Sequence, residues 1–158
     1  VEAVLMGAAG LVEATGLDVL ARGGVYPWTN VAHVLGAILL VGAIGIVDAR
    51  IAGAWSMLPL APLERALTPA AVAGLAIMLA SGLLLFAADA PALATSATFH
   101  LKLWLVAAAI GNALFFRWRF RAIGVGVASV PAAARALAVL SLALWAAVVV
   151  AGRMIAYT

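Results

Sequence analysis

A chain of 158 residues that is 68% hydrophobic and 9% charged cannot clothe a soluble domain, whose composition is roughly a quarter charged. With a mean hydropathy of +1.23, its exterior is expected to face lipid. The pI near 10.2 rests on only nine basic residues. Four of them (Arg117, Arg119, Arg121 and Arg135) gather around one connection, which suits membrane orientation and gives no support to a nucleic-acid partner. There is no cysteine, so disulfides, thiol catalysis, iron–sulfur clusters and cysteine zinc sites are excluded.

The chain opens at Val1 with no initiator Met, so a few leading residues are expected to be missing. The opening stretch lacks a basic n-region and does not read as a cleavable signal. Residues 3–22 have helical character but carry Glu13, Asp18 and Arg22, and Gly10 and Gly16 weaken the pattern. Three charges in about twenty residues are costly in hydrocarbon. The expectation is an amphipathic helix at the interface within a segment 1–24, ended by Gly23-Gly24.

A four-helix transmembrane domain is expected over 25–158. Tyr26-Pro27-Trp28 sets a proline in the first turn between two interfacial aromatics, and the first span runs over about 28–48, closing at Asp48 and Arg50. A polar, proline-broken connection from Pro59 to Arg65 leads to Thr68-Pro69, an N-cap and a proline that start a second span over 68–88. Asp89-Ala90-Pro91 reads as a turn. Thr95 or Ser96 can cap a third span over 97–117, and a loop from Gly124 to Ser129 precedes a fourth over 131–152. The fold class is therefore all-α: an integral membrane four-helix bundle, up-down-up-down, with an N-terminal interfacial helix. Six basic residues flank the connections 1–2 and 3–4, against Arg22, Lys102 and Arg153 on the other side. That bias puts the six in the cytoplasm, and both termini in the periplasm of a bacterial inner membrane.

Two histidines are the main candidates for chemistry. His33 lies in the first span and His100 in the third, both roughly 5–8 Å below the outer boundary at 1.5 Å of rise per residue. In an up-down bundle these helices are diagonal partners, a geometry suited to bis-imidazole ligation of a b-type haem. Gly36 stands below His33, and Trp104, Ala107 and Gly111 follow the His100 face. These would line the macrocycle, with Lys102, Arg153 and Arg22 at the rim to meet propionates. Two other accounts stay open: copper held by the histidines with Met154, and histidines that are purely structural, since Gly and Ala also serve close packing. Asn112 can glue helices or sit in a proton path. Asp48 is expected to pair with Arg65 or Arg119. Residues two apart do not face one another, so Arg50 is a poor partner for it. Glu13 and Asp18 can cap an outer site or form a solvated face. No Ser/His/Asp set, phosphate loop or carboxylate dyad is present, so hydrolysis and phosphoryl transfer find no support.

The run Val25-Tyr26-Pro27-Trp28-Thr29-Asn30-Val31-Ala32-His33-Val34-Leu35-Gly36, with Asp48-Ala49-Arg50-Ile51-Ala52-Gly53 at the inner end, resembles a bacterial family of four-span membrane proteins of unknown function. Ser81-Gly82 through Phe86, Phe99 through Lys102, and Asn112 extend the resemblance over residues 11–118. The chain departs from that family in Ala49 and Ala52, where leucine is usual, and in His100. More distantly it is similar to copper-resistance protein D and to small membrane b-type cytochromes. These resemblances imply a helical bundle with intramembrane histidines. The leading functional expectation is a cytochrome b-like electron-transfer subunit with one haem between His33 and His100 and no catalysis of its own. Its partners would be the bilayer and a larger membrane complex or a second copy. The alternatives are a cofactor-free accessory subunit and a copper-handling or transport protein.

Overall fold

A computed structural model describes residues 1–120 and 130–157. Arg121 and the loop expected over Gly124–Ser129 lie outside the described residues, as does Thr158. Among those described there is helix and turn and no strand. Helices α1 (Glu2–Thr15), α2 (Leu17–Arg22) and α3 (Tyr26–Ala52) are followed by α4 (Leu60–Ala88) and α5 (Ala90–Thr95). After these come α6 (Ala97–Arg119), α7 (Ala132–Met154) and a 3-10 turn over Ile155–Tyr157. Four segments, α3, α4, α6 and α7 with its 3-10 turn, are long and apolar enough to cross a membrane. Even the 23 residues of α6 rise about 34 Å, against a hydrocarbon core of about 30 Å.

The limits differ from those expected in ways the local chemistry explains. The opening stretch is not one helix but two, because Gly16 takes φ 70° and ψ 14°. That left-handed conformation is cheap only without a Cβ. The second span starts eight residues early: Pro59 is the extended N-cap, Leu60 is the first helical residue, and Pro69 sits inside α4 rather than beginning it. The turn expected at Asp89 continues into the short α5. Ser96 is the cap that is used, its hydroxyl oxygen accepting from the Phe99 N–H at 3.2 Å.

Small residues, not large apolar ones, hold the spans together. The tightest seam joins α3 to α4, and a Cβ added at Gly74 would fall 2.5 Å from Leu40 N and 2.8 Å from Gly36 O. Lipid tails are as apolar as leucine, so helices in a bilayer associate through close packing and hydrogen bonds. Gly36, Leu40, Ala43, Val47 and Ile51 form the covered stripe of α3, while Leu35 and Ile38 face outward. Helix α7 packs on both α3 and α6, with a covered stripe of Ala134, Ala138, Ser141, Trp145 and Val148. Among the described residues, α4 and α6 form no packed seam, and α6 is the least covered of the four. The helices α1, α2 and α5 cover the far end of α4. There Ala9 meets Ala90 and Ala94, Ala21 meets Ala87 and Ala88, and Arg22 Nε donates to Ala88 O at 2.6 Å.

Gly74→Ala is expected to lower stability by about 1–3 kcal/mol, the usual cost of overpacking. Gly111→Ala, whose Cβ meets nothing within 4 Å, should leave it unchanged. Thermal unfolding in mild detergent reads both. A Gly74→Ala protein as stable as the parent would show that the α3–α4 approach is not tight.

Candidate functional site

At the end covered by α1, α2 and α5, the two imidazoles have different partners. His33 Nδ1 lies 2.9 Å from Ser81 Oγ on α4, and the ring rests over Gly82, where a Cβ would stand 3.3 Å from Cε1. The Ser81 hydroxyl lies 2.6 Å from Ile77 O as well, and the His33 ring is also hydrogen-bonded to the Met78 backbone. His100 Nε2 sits 2.8 Å from Ala94 O. A carbonyl only accepts, so that nitrogen carries a proton directed at α5.

The residues expected around a haem are dispersed. Lys102, rather than His100, is the charged neighbour of His33, with its ammonium beside Gly152 of α7. At 100° per residue, positions 100 and 102 point about 160° apart, so if Lys102 faces inward His100 does not. Trp104 is 63% exposed, and Ala107 and Gly111 share that outward face. Gly36 serves the close contact with α4. Arg153 donates to the Tyr157 hydroxyl at 2.6 Å, and Arg22 is taken up by Ala88 O. In this arrangement the two imidazoles hold separate hydrogen-bonding partners, Ser81 for His33 and Ala94 O for His100. The described residues hold no group of three His, Cys, Asp or Glu that could bind a metal ion.

The opposite half of the bundle holds a cavity of about 400 Å³. Its walls come from the last turns of α3, the first turns of α4, the last turns of α6 and the first half of α7. Leu40, Ile44, Val72, Leu75 and Ile110 give it an apolar lining, interrupted by Asp48, Glu64, Asn112, Arg117, Ser141 and Trp145. Three of these carry buried polar atoms with no hydrogen-bond partner among the described residues: Asp48 Oδ2, Asn112 Oδ1 and Trp145 Nε1. Asp48 is 7% exposed and Trp145 4%. Buried polar groups in native proteins are nearly all bonded, so each exception needs an explanation. Three that line one cavity need a common one.

The surroundings of Asp48 differ from expectation. The ion pair with Arg65 or Arg119 is not formed. The hydrogen-bonding neighbour of the carboxyl is the Ser141 hydroxyl of α7, and Arg50 instead ties the following loop through Leu58 O and Ser56 O at 2.7 and 2.9 Å. The reason is helix length. Because α3 continues to Ala52, Asp48 lies a full turn inside the helix on its covered stripe, not at a solvated end. Asn112 does link helices, its Nδ2 donating to Leu137 O of α7 at 3.1 Å, and its Oδ1 has no partner among the described residues. Glu64, Ser141 and Trp145 were not singled out from the sequence. Glu64 fell in a stretch read as a loop, and the other two carry no local pattern that separates them from packing residues. Compared with protein-family models, with curated proteins and with solved structures, the chain matches none.

Removing one partner from a buried ion pair is costly, but a buried carboxylate that has none is a burden already. Asp48→Asn keeps the shape and the Ser141 contact while deleting the charge. It is expected to stabilise the ligand-free protein by about 1 kcal/mol or more, seen as a higher unfolding midpoint in detergent. A lower midpoint would mean that the carboxylate is already well paired.

Proposed function

We propose that this protein is a four-span membrane protein that holds a small organic molecule in the cavity between α3, α4, α6 and α7, as a carrier or a ligand-binding subunit. One observation carries this reading: Asp48, Asn112 and Trp145, from three different helices, line one apolar-walled space and each holds a buried polar atom unpartnered among the described residues. A cavity of about 400 Å³ falls within the ~300–1,000 Å³ of small-molecule pockets, which are also mostly apolar with a few placed polar groups. An ionisable residue within a span is by default a functional one.

The wider placement belongs to the same proposal. His33 beside Ser81, and Gly36 beside Gly74 and Met78, support antiparallel passage of the first two spans and so an up-down bundle. Arg50, Arg65, Arg117, Arg119 and Arg135 flank the Asp48 end, and by the positive-inside rule this supports that end facing the cytoplasm of a bacterial inner membrane. The termini would then be periplasmic, with α1 and α2 at the outer interface.

Native mass spectrometry of the protein released from mild detergent tests the reading. The expected result is a bound species heavier than water and lighter than a phospholipid, absent in Ala113→Phe, which fills the cavity from the sparsely covered α6. Identical adducts in the two proteins would sink the proposal and leave a ligand-free accessory subunit.

A second reading, the electron-transfer subunit carrying haem b, is favoured by one feature. Ser81 holds the His33 ring through Nδ1, as the hydrogen-bonding partners of metal-ligating histidines do. It requires the His100 ring to leave Ala94. Its test is the visible spectrum before and after dithionite: a Soret band with sharp reduced bands, lost in both His33→Ala and His100→Ala, would establish it. A colourless protein rules it out.

A further inference from the structure

Resting on the cavity reading above, we infer that the ligand of the Asp48 cavity is a small organic cation: a protonated amine with an apolar body and one acceptor oxygen. The polar side chains among the lining residues define its complement. Asp48 Oδ2 can only accept when ionised. Asn112 Oδ1 is an acceptor, because the amide nitrogen of that side chain is committed to Leu137 O. Trp145 Nε1 is a donor and nothing else. The fitting molecule therefore brings at least two donor hydrogens and one acceptor.

Charge narrows the class. The lining carries two carboxylates, Asp48 and Glu64, against one guanidinium, Arg117. That guanidinium is the charged neighbour of Glu64, which leaves Asp48 without a cation of its own among the described residues. An ammonium seated against Asp48 would make a charge-assisted hydrogen bond in a water-poor site, roughly twice as strong as a neutral one. An anion would meet an unneutralised carboxylate there, and a hydrated metal ion would meet walls of leucine, isoleucine and valine. The apolar walls suit a hydrocarbon or aromatic body. The side between α4 and α6, where the described helices form no packed seam, is the route by which such an amphipathic cation enters.

Isothermal titration of the protein in lipid nanodiscs, with empty nanodiscs as the blank, tests the inference using three probes of similar size. These are phenylethanolamine, which is cationic, phenethyl alcohol, which is neutral, and phenylacetate, which is anionic. The expected result is that the cation binds about tenfold or more tightly than the neutral probe, with the anion weakest. Asp48→Asn should remove that preference while leaving the alcohol unchanged, and Ala113→Phe should abolish binding of all three. Equal binding of cation and alcohol, or a cation preference that survives Asp48→Asn, overturns the assignment of the class but leaves the cavity reading standing. A preference for phenylacetate overturns it in favour of Arg117 as the anchoring charge. Failure of all three probes also overturns it, and the cavity reading then stands or falls on the native mass spectrum.

Discussion

The approach of α3 to α4 at Gly36 and Gly74 sets the geometry of everything else. In a bilayer no solvent pushes apolar faces together, so helices settle where their backbones can come closest. Here that point is where Gly74 meets Leu40 and Gly36. The contact fixes the rotation of α3 about its axis. With Gly36 and Leu40 against α4, the same stripe carries Val47, Asp48 and Ile51 inward at one end, while at the other His33 meets Ser81 and Gly82. A chain this apolar has many faces it could present. Two glycines choose among them.

Rotation of α6 is governed by α7. Ala109 is fully covered, and Asn112 reaches a backbone carbonyl of α7, so the stripe through Lys102, Val106, Ala109, Asn112 and Phe116 faces the bundle. The stripe through His100, Trp104, Ala107 and Gly111 consequently lies on the other side. A helix presents one phase at a time, and positions two apart diverge by about 160°.

The bundle is unevenly closed. Seams join α3 to α4, α3 to α7 and α6 to α7, whereas α4 and α6 stand apart among the described residues. The cavity occupies the inner part of that opening, and its unpartnered atoms come from α3, α6 and α7. In low dielectric an unbonded carboxylate or indole N–H costs free energy that packing elsewhere must offset. This argument applies to the Asp48 end and not to the histidine end, where each imidazole has a hydrogen-bonding partner within the fold.

What composition and hydropathy determined was the environment and the number of spans, because twenty apolar residues have one stable destination and the backbone must bond to itself there. Pro27, Ser96 and the glycine at 23 marked helix limits, whereas the break at Gly16 was not marked, and Pro69 did not begin a helix because a membrane helix accommodates a proline. Asp48 and Asn112 were visible as polar residues in apolar runs, yet their roles as anchor and glue were incomplete. Only the tertiary structure decided which face of each helix turns inward. In soluble proteins the polar and apolar faces reveal that rotation, but lipid and a helix neighbour are equally apolar, so the sequence of a spanning helix carries little record of it. Rotation is set by where backbones fit, and it decided that Asp48, Asn112 and Trp145 line one cavity while His33 and His100 take partners on different helices.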